Sequence, residues 1–225
     1  HPMKPLACRS GRHSSRRAVI QTLAAVLLAP VLTSAHAQLA VSTAINRTGR
    51  FRAMSQRIAK AYCQIYLNVL PDQTRAVLTT ARQLVHSGFE DLAKVQWPAD
   101  LTGMVADVRK QADALEALLV MPPTREAVAA VAAQSDKMMA AAQATTEAFE
   151  KFGKTGTAKL VNVAGRQRAL SQRLAKNYFL VAAKLEGKGT QDQMKADAAE
   201  FRQAMSALAA APISTPSIRN ELALG

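Results

Sequence analysis

Apolar residues recur at the three- and four-residue spacing of amphipathic helices along most of the chain, and no stretch alternates as a half-buried strand would. Prolines, glycines and short polar turns divide this pattern into segments. It predicts six helices, at about residues 39–70, 73–96, 99–120, 124–152, 157–186 and 191–210. Helices of this length joined by short turns favour an all-α fold, an antiparallel helical bundle.

Residues that start or stop helices set the predicted boundaries. We expect Asp72 to cap the second helix, and Thr124 to cap the fourth, with Glu126 in its first turn. The Trp97-Pro98 pair ends the second helix. Two prolines interrupt the pattern between residues 211 and 225, so we expect an irregular tail there.

One segment occurs twice in the chain. Residues 45–62, the first copy, return 116 positions later as residues 161–178, the second copy, and 11 of the 18 pairs are identical. The identical positions include an asparagine, a glycine and three arginines, which helix formation alone would not keep in register. The copies lie near the start of the first and fifth predicted helices. The fold is therefore either two related halves or one continuous bundle, and the sequence leaves both open.

The apolar positions of the repeated helix share one face. At about 100° per residue they fall within a single stripe, so we expect them to pack in the core. In the first helix they are Phe51, Met54, Ile58, Tyr62, Ile65 and Val69, and in the second copy Leu170, Leu174 and Tyr178.

The polar positions of the repeat form two further stripes. A glycine within a helix costs about 1 kcal/mol relative to alanine, but it lets a second helix or a ligand approach the backbone closely. One turn later, an arginine presents a planar fork that suits oxyanions. One stripe holds Asn46, Arg50 and Arg57, and the other holds Gly49, Arg52 and Gln56.

Two such helices crossing at their glycines would place two arginines around one small anion. The competing interpretation is that the arginines are solvated or pair with carboxylates of adjacent helices. On the first interpretation the candidate ligand-binding residues are Gly49, Arg52, Gly165 and Arg168. The secondary candidates are Asn46, Arg50, Arg57, Asn162, Arg166 and Arg173.

The charge of the chain also favours an anionic partner. The formal net charge is +13, and after residue 37 there remain 24 basic and 16 acidic residues. We do not expect nucleic acid to be the partner, because the basic residues are spread along the helices and aromatic residues are scarce.

Residues 1–37 have the order of an export signal that is cleaved before Gln38. A basic region ending in Ser15-Arg16-Arg17 precedes an apolar stretch and a small-x-small site, Ala35-His36-Ala37. The adjacent arginines allow the twin-arginine route. The apolar stretch is about 15 residues, short of the roughly 20 that span a membrane. We therefore expect cleavage rather than an uncleaved anchor, and a periplasmic mature protein.

Residues that catalysis or a metal site would need are sparse. The four histidines are scattered, and Cys63 is the one cysteine that follows the expected signal, so we expect it to be a buried small side chain without a disulfide. Nucleophilic triads, paired carboxylates, phosphate loops and metal-ligand spacings are absent from the sequence. We expect no enzyme, no cofactor and no metal.

The repeated motif, Asn-x-x-Gly-Arg-x-Arg-x-x-Ser-Gln-Arg-(Ile/Leu)-Ala-Lys, resembles the signature helix of the N-terminal domain of type IV pili methyl-accepting chemotaxis transducers, the PilJ-type sensor module. It is also similar to the P-box helix of nitrate/nitrite sensor histidine kinases. Both resemblances cover about 18 residues of each copy.

The P-box resemblance implies a four-helix bundle that binds nitrate or nitrite between two copies of the helix. It assigns the glycine and first arginine of the pattern to the ligand, which are the four candidates above. Arg57 and Arg173 match a later arginine, which is expected to support packing. At Arg50 and Arg166 the kinase pattern has a different residue.

Two functions follow as hypotheses. The first is a periplasmic, non-enzymatic binding protein for a small oxyanion, nitrate or nitrite first. The second is an interaction module that docks on a membrane-bound sensor, transporter or pilus or chemotaxis component through a bundle whose arginines are structural. We see no kinase or methyl-accepting region in this sequence and expect a sensor module without an output domain. A homodimer fits as well as pairing of the copies within one chain.

Overall fold

The computed structural model describes the backbone of residues 16–154, 156–212 and 214–223, and the side chains of residues 38–154, 159–212 and 214–221. The side chains of the expected export signal, and residues 1–15 altogether, lie outside the described part. Residues 1–39 form one compact unit and residues 40–225 a second, to which the rest of this description refers. No helix among the described residues has both the length and the hydropathy needed to cross a membrane.

The described residues form helices and no strand, which confirms the all-α prediction. The first helix begins earlier than predicted and ends earlier too, because Asn68 and Leu70 adopt left-handed conformations after it. The helices are α1 (Arg16–Tyr66), α2 (Pro71–Ala93), α3 (Ala99–Leu118), α4 (Arg125–Gly153), α5 (Gly156–Ala182), α6 (Thr190–Ala210) and α7 (Pro216–Ala223).

The predicted helix ends are partly right. Thr124 caps α4, and its hydroxyl accepts a hydrogen bond from the backbone N–H of Ala127 at 3.1 Å. The prediction for Asp72 is wrong. Leu70 holds the cap position and Pro71 opens α2, so Asp72 lies in the first turn, where its charge still favours the helix start. The tail is less irregular than expected, because it contains α7.

The part of α1 between Ala44 and Cys63 is the centre of the bundle. All its residues are buried or half-buried, so its neighbours surround it. The predicted core face of the first copy is buried from Phe51 to Tyr62 and half-buried beyond it. Cys63 is buried without a disulfide, as predicted, and this burial raises the pKa of its thiol to about 11.

The second copy is less enclosed than the first. Leu170 is fully buried and Leu174 half-buried, but Tyr178 is 62% exposed, so its predicted place in the core is wrong. The reason is the position of α5, which packs more extensively against the largely exposed α6 than against α4. The same apolar face therefore meets less protein in the second copy.

Helix α2 approaches α1 closely at one glycine. The rings of Phe51 and Phe89 stack with their centroids 4.3 Å apart. A Cβ on Gly88 would lie 2.6 Å from the Phe51 ring, so only glycine permits this packing.

We predict opposite effects of alanine at two helical glycines. Gly88→Ala should lower the free energy of unfolding by about 1–3 kcal/mol, because the added methyl group overlaps the Phe51 ring. Gly103→Ala, on α3, meets no atom within 4 Å and should raise this free energy by about 0.5–1 kcal/mol through helix propensity. Urea denaturation of both variants measures the difference. Equal effects would contradict the packing described for α1 and α2.

Candidate functional site

The two copies of the repeat cross at their glycines. A Cβ built on Gly165 would lie 3.9 Å from the Cα of Gly49, so the backbones of α1 and α5 are in close approach there. The sequence raised such a crossing as one arrangement and left open whether the two copies pair within one chain or between chains. Side chains at either position would separate the two helices.

The guanidinium of Arg52 fills the space beside this crossing. Its Nη2 lies 3.1 Å from the position of a Cβ on Gly49 and 2.9 Å from that on Gly165. The side chain has no exposed surface, although arginine is among the residues least often buried. A third helix, α4, lies on its other side, since Gln143 contacts it.

Amide side chains from two helices bind this buried cation. Arg52 Nη1 donates to Gln143 Oε1 on α4 and to Asn162 Oδ1 on α5, the second at 2.8 Å. Its Nη2 donates to the backbone carbonyl of Asn162 at 3.2 Å. The Gln143 amide nitrogen in turn donates to Glu147, and the Asn162 amide nitrogen to Glu150. One amide side chain therefore links each carboxylate to the guanidinium by hydrogen bonds.

The electrostatics of Arg52 match this arrangement. Burial and, after it, the positive charge of Arg166 lower its pKa to about 10, while Glu147 opposes the shift. The group remains charged at neutral pH. Since the protein itself binds Arg52 and covers it completely, its guanidinium is not offered to a guest as the sequence led us to expect.

Two of the three arginines of the second copy are paired with carboxylates of α6. Arg166 donates from Nε and Nη2 to Glu200, and Arg173 donates from Nε to Asp197 at 2.7 Å and from Nη2 to its other oxygen. The hydrogen bond from Arg166 lowers the pKa of Glu200. For these two arginines the competing interpretation, pairing with an adjacent helix, is the correct one.

Three arginines line a pocket of about 210 Å³ between α1, α2 and α5. They are Arg50 and Arg57 of the first copy and Arg168 of the second. Leu84 closes the pocket from α2, and no acidic residue is among its lining residues. Arg168 and Ser171 are exposed, so the pocket is open to solvent on the α5 side.

The charges of this arginine pocket, as we call it, lack direct ion-pair partners. Among the described side chains, none of the three arginines forms a salt bridge. Arg57 Nε and Gln172 Oε1 are buried without a hydrogen-bond partner in the described part of the chain. Desolvation lowers the pKa of Arg50, followed by the charges of Arg47 and Arg168. An anion in this site would accept hydrogen bonds from Arg57 Nε and from the other guanidinium groups.

The structure thus separates nine of the ten predicted site residues into three groups. Gly49, Gly165, Arg52 and Asn162 meet at the helix crossing. Arg166 and Arg173 join α5 to α6, whereas Arg50, Arg57 and Arg168 line the arginine pocket. Asn46 is half-buried and belongs to none of these groups. Arg50 and Arg57 were only secondary candidates in the sequence. Their shared stripe on the first copy was the signal that could have grouped them in one site.

The segment that contains the second copy matches a known family. Residues 152–223, which include α5, α6 and α7, match the family model described as type IV pili methyl-accepting chemotaxis transducer N-term. This match confirms the PilJ-type resemblance of the second copy and gives no support to the relation with nitrate/nitrite sensor kinases. The chain matches none of the curated proteins and none of the solved structures.

We predict that Arg52 and Arg168, which hold equivalent positions in the two copies, differ in their effect on stability. Arg52→Ala leaves the oxygens of Gln143 and Asn162 buried without their donor and opens a cavity, so it should lower the free energy of unfolding by about 3 kcal/mol or more. Arg168→Ala removes an exposed side chain and should change it by less than about 0.5 kcal/mol. Urea denaturation followed by circular dichroism measures both. Similar losses for the two variants would contradict the assignment.

Proposed function

We propose that this chain, which carries the PilJ-type match at residues 152–223, is a sensory module that binds a small oxyanion in the arginine pocket. PilJ-type domains belong to chemotaxis transducers, so a sensing or signalling role is the general function that the match supports. The observation that carries the finer proposal is three guanidinium groups around one pocket with no acidic residue in its lining.

Three positive charges lie around the arginine pocket. Each guanidinium repels the other two, and Arg57 Nε has lost water without gaining a partner. An oxyanion in the pocket would reverse both effects, because it brings negative charge and accepts charge-assisted hydrogen bonds. Binding should therefore stabilise the folded chain.

Nitrate and nitrite are the first anions to test, because the resemblance of the repeat to the P-box helix implies them. In this proposal they bind at Arg50, Arg57 and Arg168, whereas Arg52 holds the helix crossing. The module acts in the periplasm, after removal of residues 1–37, and carries out no reaction. A membrane-bound sensor or transporter would receive the signal.

The position of the arginine pocket suggests how binding could be transmitted. Two of its arginines belong to α1 and the third to α5, so a guest links the two copies of the repeat. Helix α5 is joined to α6 by the ion pairs of Arg166 and Arg173. A guest that draws Arg168 toward α1 would therefore shift α5 and α6 together.

Calorimetry of the chain with nitrate, nitrite and chloride tests this proposal. We expect binding of nitrate or nitrite, and we expect Arg50→Gln, Arg57→Gln and Arg168→Gln each to weaken it about tenfold or more, since each removes a charged hydrogen-bond donor. Arg75→Gln is the matched control, because it removes the same charge from an exposed position on α2.

Two results would contradict the proposal. The first is an absence of heat with every oxyanion. The second is equal affinity in the pocket variants and in Arg75→Gln. A membrane-bound partner that binds equally well to all four variants would favour the docking module with structural arginines.

A further inference from the structure

We infer that the guest of the arginine pocket is a small dicarboxylate, with one carboxylate for Arg50 and one for Arg57. This inference rests on the proposed function and narrows the ligand class. It is carried by a difference between the surroundings of the two copies of the repeat, because α6 supplies carboxylates to the arginines of the second copy.

The arginines of the two copies correspond in pairs. Arg50 and Arg57 occupy the positions of Arg166 and Arg173, 116 residues later. In the second copy each arginine binds one carboxylate through Nε and Nη2, Arg166 with Glu200 and Arg173 with Asp197. The chain therefore shows how a pair of arginines at this spacing is satisfied.

The two carboxylates that bind the arginines of the second copy lie close together on α6. Asp197 and Glu200 are three residues apart on α6, a rise of about 4.5 Å along the helix. The arginines they bind are seven residues apart on α5, a rise of about 10.5 Å. The long arginine side chains thus converge on two acids that one short molecule could replace.

Helix α2 does not supply these acids in the first copy. It follows α1 as α6 follows α5, but it lines the arginine pocket with Leu84. Its three acidic residues form ion pairs with other partners: Asp72 with Arg75, Glu90 with His86, and Asp91 with Arg47 and Lys94. Asp91 favours the charged form of Arg50 without forming an ion pair with it. No carboxylate of α2 therefore binds Arg50 or Arg57 as Glu200 and Asp197 bind the arginines of the second copy.

The size and charge of the pocket agree with a dicarboxylate. The pocket has a volume of about 210 Å³ and is open on the α5 side. It exceeds what a nitrate ion of four heavy atoms would fill, and it suits a dicarboxylate of about four or five carbons. Arg168 at the mouth adds a third positive charge, which favours a doubly charged guest over a singly charged one.

Titration calorimetry of the full chain at one ionic strength tests the inference, with succinate, glutarate, acetate and nitrate as ligands. We expect succinate or glutarate to bind at least about 30-fold more tightly than acetate. We expect Arg50→Gln and Arg57→Gln each to reduce the affinity for the dicarboxylate to about that of acetate, because one of its carboxylates then lacks a partner. Arg75→Gln should leave the affinity unchanged.

A second pair of variants places a carboxylate in the pocket from α2. Leu84→Glu should reduce the affinity for succinate at least about tenfold, because its side chain takes the place of one carboxylate as Glu200 does in the second copy. Leu84→Gln, of the same size as the glutamate variant and without charge, is the matched comparison and should reduce the affinity much less than Leu84→Glu does.

The results separate this inference from the proposed function. If nitrate binds at the three arginines and succinate binds no more tightly than acetate, the dicarboxylate is excluded and the oxyanion-sensing function stands. If Leu84→Glu and Leu84→Gln affect succinate equally, the correspondence between the copies is also excluded. If no anion binds, both the inference and the proposed function fail.

Discussion

The close approach of α1 and α5 at Gly49 and Gly165 is the constraint on which the rest of the structure depends. It leaves one space beside the crossing, and the guanidinium of Arg52 occupies it. A buried cation is tolerated only when its hydrogen bonds are satisfied. Asn162 on α5 and Gln143 on α4 meet this need, so one side chain joins three helices and fixes where the second copy lies relative to the first.

The repeat shows how equal residues acquire different roles from their surroundings. Arg52 is buried at the crossing, while its counterpart Arg168 is exposed at the mouth of a pocket. Arg166 and Arg173 are neutralised by α6, while Arg50 and Arg57 face Leu84 of α2. Duplication therefore supplied one set of arginines for assembling the bundle and left another set without direct ion-pair partners among the described side chains. The second set is what makes anion binding the function that the geometry supports best.

Much of the fold could be predicted from the sequence, because its signals are local. The apolar period placed the helices, Thr124 marked a helix start, and the matching glycines indicated where two such helices could approach each other, although not whether they pair within one chain. The site was only partly predictable, because the fate of each arginine depends on distant residues. Gln143 was not a candidate, yet it binds Arg52. Tyr178 has the helical position of the buried Tyr62, but α5 has fewer neighbours to cover it.

The central claim is that a guest binds to the arginines that the bundle has left unpaired, and bromosuccinate tests it most directly, because bromine can be located in a crystal by its anomalous scattering. The account predicts one strong anomalous peak within contact distance of Arg50, Arg57 and Arg168, and its loss in crystals of Leu84→Glu. A peak beside Arg52 at the helix crossing, or only weak peaks scattered over the surface, would contradict the account.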